Sequence, residues 1–146
     1  MPTDVLPTDV LLVDDDDDVR RTLRRFLERR GWRVTDVGSA TEAMNYLADH
    51  QPDLVVSDYD MPDQGGLDLF QWMRAEKCTA VRVLLTGHAD LHLALHTLNR
   101  GLADRFITKP WEEVALFEIL RDSVARRGEK AGIGVWGKNV EGERLA

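Results

Sequence analysis

The sequence has a single cysteine, Cys78, so no disulfide can form within the chain. A lone thiol fits a reducing compartment, and a cytoplasmic location is expected. No apolar run approaches the roughly 20 residues that a membrane span requires. The opening MPTDVLPTDV is neither cationic nor continuously apolar, unlike a secretory leader. Positive charge is in the minority: 19 Lys and Arg stand against 26 Asp and Glu, giving a formal charge of -7. That balance argues against nonspecific attraction to nucleic acid. Neither a membrane nor nucleic acid is therefore an expected direct partner. The low hydrophobicity of disordered chains is also missing, since 43% of residues are hydrophobic and 31% charged. At 146 residues the chain suits one compact unit and is too short for two sizeable cores.

Five short apolar runs rich in β-branched residues read as strands: VLLVD from Val10, WRVTDV from Trp32, DLVVSD from Asp53, VRVLLT from Val81 and RFIT from Arg105. Between them apolar residues recur at helical spacing, as in Val19, Leu23, Phe26 and Leu27, then Ala40, Ala43, Met44 and Leu47, then Leu91, Ala94, Leu95 and Leu98. A last helix is expected over about residues 111–127. Alternating strands and helices imply right-handed crossovers onto a parallel sheet covered on both faces, and buried central strands should be nearly all apolar, as LLV and VRVLL are. The expected fold class is α/β, a flavodoxin-like (βα)5 three-layer sandwich. Residues 1–8 are expected to form a flexible tail, because the pentapeptide PTDVL at 2–6 and 7–11 is too short to be a structural repeat. Residues 9–127 make the domain. The stretch 128–146, with glycine at 128, 132, 134, 137 and 142, reads as a tail or linker, against the alternative that Ile133, Val135 and Trp136 pack back on the surface.

In an open parallel sheet, ligands bind beyond the carboxyl ends of the strands. There the first strand ends in Asp14 and Asp15, the third in Asp58 and the fourth in Thr86, and the fifth is followed by Lys109 and Pro110. Three carboxylates at one edge suit Mg²⁺, which binds through a few carboxylates, waters and a substrate phosphate oxygen. Asp58 could then attack phosphorus, giving an acyl phosphate. Lys109 and the metal would neutralise the phosphoryl oxygens, and Thr86 would donate a hydrogen bond to one of them.

The stretches LLVDDDDDV, DLVVSDYDMPDQGGLDL, VRVLLTG and FITKPW, in this order and spacing, resemble the motifs of the receiver domain of two-component response regulators, over about residues 9–127. The resemblance implies a five-stranded sheet of order 2-1-3-4-5. It implies Asp58 as phosphoacceptor, with Mg²⁺, or alternatively Mn²⁺, held by Asp14, Asp15, Asp58 and the main-chain carbonyl of Asp60. Thr86 and Lys109 would contact the phosphoryl group, Thr86 and Phe106 would switch together, and the Lys109–Pro110 bond would be cis. Gly87 matches a position that must be small, and Asp60 and His88 match positions that tune the phosphoryl lifetime. The implied partner is a sensor histidine kinase or phosphotransfer protein. The implied role is a switch that catalyses its own aspartyl phosphorylation and dephosphorylation, not an enzyme acting on an external substrate. The switch would remodel the surface of the fourth helix, fifth strand and fifth helix, and a homodimer through that surface is a further expectation.

Several features have plainer readings. Asp16, Asp17 and Asp18 are placed to cap the first helix, with a direct metal role for Asp16 as the alternative. The run Arg20, Arg21, Arg24, Arg25, Arg29 and Arg30 reads equally well as a docking patch for an acidic partner or as a solvated helix face. His88, His92 and His96 have a spacing that zinc ligands use, but surface histidines are the simpler account. On the last helix the apolar residues span roughly 220° of the wheel, so some should stay exposed, and Val114 and Phe117 are expected to offer a self-association surface, against the alternative of burial under the glycine-rich tail. Two other classes fit less well. A hydrolase of the haloacid dehalogenase type would place the nucleophile strand first, whereas Asp14 and Asp15 precede Asp58. A flavodoxin needs a hydroxyl-rich phosphate loop where this chain has five aspartates, whose charge would repel the FMN phosphate.

Overall fold

A computed structural model describes residues 8–62, 64–87 and 90–127. Strands and helices alternate through β1 (Asp9–Val13), α1 (Asp17–Glu28), β2 (Arg33–Val37), α2 (Ala40–Leu47), β3 (Leu54–Asp58), α3 (Gly66–Ala75), β4 (Val81–Thr86), α4 (Leu91–Asn99), β5 (Arg105–Thr108) and α5 (Glu113–Ala125). The strands form one parallel sheet in the order β2-β1-β3-β4-β5, the flavodoxin-like arrangement. The glycine-rich stretch 128–146 lies outside the described residues.

Side chains alternate across each strand, so the sheet feeds two separate cores. Leu11, Val13, Val55 and Leu84 point to one face and meet Ala40, Ala43 and Leu47 of α2, Leu69, Phe70 and Met73 of α3, and Ala94 and Leu98 of α4. Val10, Leu12, Leu54, Val56, Val83, Leu85 and Ile107 point to the other and meet Leu23, Phe26 and Leu27 of α1 with Leu116, Ile119 and Leu120 of α5. Burying each such side chain is worth roughly 1.5–3 kcal/mol. Because β3 is covered on both faces, all five of its residues are buried, including the polar Ser57 and Asp58.

Local chemistry sets the helix ends. The Asp16 carboxylate accepts hydrogen bonds from the Asp18 and Val19 amides at 2.9 and 3.2 Å, so Asp16 is the cap of α1. Asp17 and Asp18 fill its first turn, where the helix dipole favours negative charge. Gly31, at φ +87°, supplies the left-handed residue that turns the chain from α1 into β2. The last helix begins two residues later than its apolar pattern suggests. Pro110 and Trp111 lie in the connection, and the Glu112 carboxylate caps α5 by accepting from Val114 and Ala115. Asp90 stands at the cap position of α4 but makes no capping hydrogen bond with its side chain. Buried Arg105 of β5 pairs with Asp122 of α5 at 2.7 Å, and Arg127, just past α5, pairs with Asp53, just before β3, at 2.8 Å.

Candidate functional site

Register brings the polar residues together. The ladder runs past the strand ends through Tyr59 N–H donating to Leu85 C=O and Lys109 N–H donating to Thr86 C=O, both at 2.8 Å. These bonds fix Asp58, Thr86 and Lys109 side by side, with Asp14 one residue beyond β1. The Lys109 ammonium Nζ lies 2.9 Å from Asp58 Oδ1 and 3.9 Å from Asp14 Oδ2. One carboxylate oxygen from each of Asp14, Asp15 and Asp58 falls within 4.8 Å of the others. Asp14 and Asp58 are buried, at 3% and 7% exposure, while Asp15 opens to solvent, so the cluster is a cradle with one wet side.

Its electrostatics are strained when no cation is present. Burial, reinforced by the charges of Asp58 and Asp15, pushes the Asp14 carboxyl up to about 6, against the hydrogen bond from Asp16 and the charge of Lys109. Asp58 is also raised, chiefly by burial, with the Lys109 hydrogen bond opposing. Burial disfavours the Lys109 ammonium, but the hydrogen bond and charge of Asp58, with Asp14 and Asp15 behind it, outweigh that and raise its pKa. Asp14 Oδ1 accepts from the Asp16 amide at 2.9 Å, whereas the buried Oδ2 has no hydrogen-bond partner. An orphaned buried carboxylate oxygen, flanked by two more carboxylates, is the donor set a hard divalent cation requires.

The sign of the pH effect follows. A carboxyl raised from 3.8 to about 6 holds its proton more tightly in the folded state, so this group's contribution to folding stability is lost as pH rises through that window, on the order of 3 kcal/mol. Metal binding requires the deprotonated form, so protons compete with it below about pH 6. We expect the Mg²⁺ affinity, measured by titration calorimetry, to be about tenfold weaker near pH 5 than near pH 7. An affinity that is flat or rises as the pH falls would contradict this account.

The other sequence-predicted residues sit around the cradle. Thr86 is buried, and its hydroxyl donates to the Gly87 carbonyl at 3.3 Å. A Cβ on Gly87 would project into open space. Phe106 is buried in the core under α2, α3 and α4. The Lys109–Pro110 peptide is cis. Asp60 is exposed in the β3–α3 connection, and His88 lies outside the described residues. Sequence reasoning missed two supports. A Cβ on Gly66 would stand 2.5 Å from the Asp58 carbonyl oxygen, and one on Gly65 would stand 2.6 Å from that of Tyr59, so only hydrogen fits where α3 meets the end of β3. The Ser57 hydroxyl donates to the same Asp58 carbonyl at 3.0 Å.

The family model of the response regulator receiver domain matches residues 10–121. This chain belongs to that family. It is 36% identical over 118 residues to the C4-dicarboxylate transport transcriptional regulatory protein DctD of Rhizobium meliloti, covering 81% of this chain and 25% of DctD. It is 33% identical over 121 residues to the transcriptional regulatory protein FixJ of Azorhizobium caulinodans, covering 83% of this chain and 57% of FixJ. The chain thus spans a quarter to just over half of those relatives. Among solved structures, the signal receiver domain of an HD domain-containing protein from Pseudomonas fluorescens Pf-5 superposes with a TM-score of 0.78 at 28% identity, covering 88% of this chain and 94% of that one. Full-length FixJ from B. japonicum gives 0.79 at 28% identity, covering 88% and 63%.

The receiver is a signalling switch of bacterial two-component systems. Among its described residues no helix is long and apolar enough to cross a membrane. His92 and His96 are exposed on α4, and Asp14, Asp15 and Asp58 are the metal-capable group found among the described residues. Phe117 is half-buried, its ring packing 5.0 Å from Trp32 and 6.3 Å from Phe26, on the α1 side of the domain. Val114 remains 49% exposed.

Proposed function

We propose that this receiver takes a phosphoryl group from a phosphorylated histidine of a sensor kinase or phosphotransfer protein onto Asp58, and that the modification switches the α4-β5-α5 surface. The observation that carries this reading is the Asp58 carboxylate at the buried end of β3, 2.9 Å from a lysine ammonium and beside two further carboxylates. Asp14, Asp15 and Asp58, with the Asp60 carbonyl, would hold Mg²⁺, which supplies positive charge to the phosphoryl oxygens when bound. An Asp58 oxygen forms the new P–O bond as the donor's P–N bond breaks, and the imidazole leaves with the bonding electron pair. Lys109, ammonium at neutral pH, follows the charge from the carboxylate to the phosphoryl oxygens. Thr86 exchanges its weak bond to Gly87 for one to the phosphoryl group, and the buried Phe106 moves with it. The half-exposed Leu93 on α4 and Val114 on α5 supply apolar contacts for whatever that surface engages, including a second copy.

Incubation with acetyl phosphate and Mg²⁺ is expected to add one alkali-labile phosphoryl group per chain, read by intact-protein mass spectrometry. Steady release of phosphate from a stable phosphomonoester, without a stoichiometric adduct, would favour a hydrolase and overturn the proposal.

A further inference from the structure

Arg20, on α1, has an unusual set of partners. Its side chain is only 18% exposed. Nη1 donates to the main-chain carbonyl of Asp14 at 2.7 Å, Nε donates to Asp36 Oδ2 at 2.7 Å, and Nη2 lies 2.9 Å from Asp17 Oδ1. Asp36, on the edge strand β2, is itself shared with Arg24. One guanidinium therefore ties α1 and β2 to the peptide unit of a cradle carboxylate. Gly38 makes room for it, since a Cβ there would lie 3.2 Å from Arg20 Nη1.

We propose that Arg20 is a positioning residue for the divalent-cation site, fixing the Asp14 main chain so that its orphaned Oδ2 stays turned toward Lys109 and the neighbouring carboxylates. The inference rests on the reading of Asp14, Asp15 and Asp58 as that site. The Asp14 carboxylate is otherwise held by a single bond, from the Asp16 amide to Oδ1. The Asp14 N–H stays bonded to the Val37 C=O at 3.2 Å, so releasing the carbonyl frees the peptide unit that follows to tilt about that anchor, which spreads the donor atoms. A lysine at position 20 keeps the charge but cannot present the three directed donors that Arg20 uses. Outer partners of metal ligands typically contribute 10–100-fold to affinity.

The test is Mg²⁺ affinity by titration calorimetry on the unphosphorylated protein, with melting temperature recorded alongside. Arg20→Lys is expected to bind about tenfold more weakly or worse. Gly38→Ala, which changes no charge and crowds only the guanidinium, is expected to shift affinity in the same direction by less. Arg24→Met loses an Asp36 partner without touching Asp14, and is expected to melt lower while binding Mg²⁺ as wild type does. If wild type binds and both Arg20→Lys and Gly38→Ala remain within about twofold of it, well short of an outer-partner effect, the positioning role is wrong. If Arg20→Lys does not fold, Gly38→Ala alone decides. If wild type binds no Mg²⁺, the reading of the site itself fails and this inference goes with it.

Discussion

Replacing Asp58 with alanine is expected to abolish phosphoryl incorporation altogether. The neighbouring carboxylates cannot substitute. One Asp14 oxygen is taken by the Asp16 amide, and its other oxygen is 3.9 Å from Lys109, beyond hydrogen-bond reach. Asp15 is on the solvent side of the cluster, and the contacts of the Lys109 ammonium run to Asp58 and Asp14. Asp58 alone makes the 2.9 Å contact with the ammonium. The variant should still fold, because it removes a buried charge whose protonation burial already favours. Intact-mass measurement after acetyl phosphate and Mg²⁺ treatment reads the outcome directly. An equal mass gain in wild type and Asp58→Ala would remove Asp58 from the mechanism.

The second large effect is expected at Lys109. Lys109→Met keeps the length and apolar stem of the side chain while deleting the ammonium. Two things follow from the geometry. The group that offsets Asp58 and Asp14 disappears, so both carboxyls should titrate still higher in the empty protein. More important for rate, the cation that would meet the developing phosphoryl charge is gone. Removing one such preorganised donor typically costs about 10²–10³ in rate. Phosphorylation of Lys109→Met should be slower by that factor at saturating Mg²⁺, while Mg²⁺ still binds, because the cradle has lost a competing cation rather than a ligand. A slowing of less than about tenfold would mean that Lys109 only balances charge in the resting state.

Much of this architecture is legible in the chain because burial and chemistry change at the same place. Each strand is an apolar run that ends in a polar residue where the sheet opens, as Leu54–Asp58 and Val81–Thr86 show, so fold and candidate site are read from the same five segments. What escaped is what depends on geometry across the sheet. Gly65 and Gly66 look like loop glycines until the carbonyls of Tyr59 and Asp58 are seen against them. The arginines of α1 and the turn after it look like one basic face, yet Arg20 and Arg24 converge on Asp36, Arg21 pairs with Asp18, and Arg30 stacks over Phe26. Phe117 reads as an exposed apolar residue from its helical phase. Only the packing of α1 against α5 brings Trp32 and Phe26 to it, because the two helices share one face of the sheet.

The close fit at Gly66 has a mechanical side. With no side chain between the Asp58 peptide and the first turn of α3, nothing compressible cushions one from the other. The Gly66 N–H to Tyr59 C=O bond, at 3.1 Å, adds a rigid link at the same point. A tilt of the Asp58 peptide plane is therefore expected to press directly on the first turn of α3.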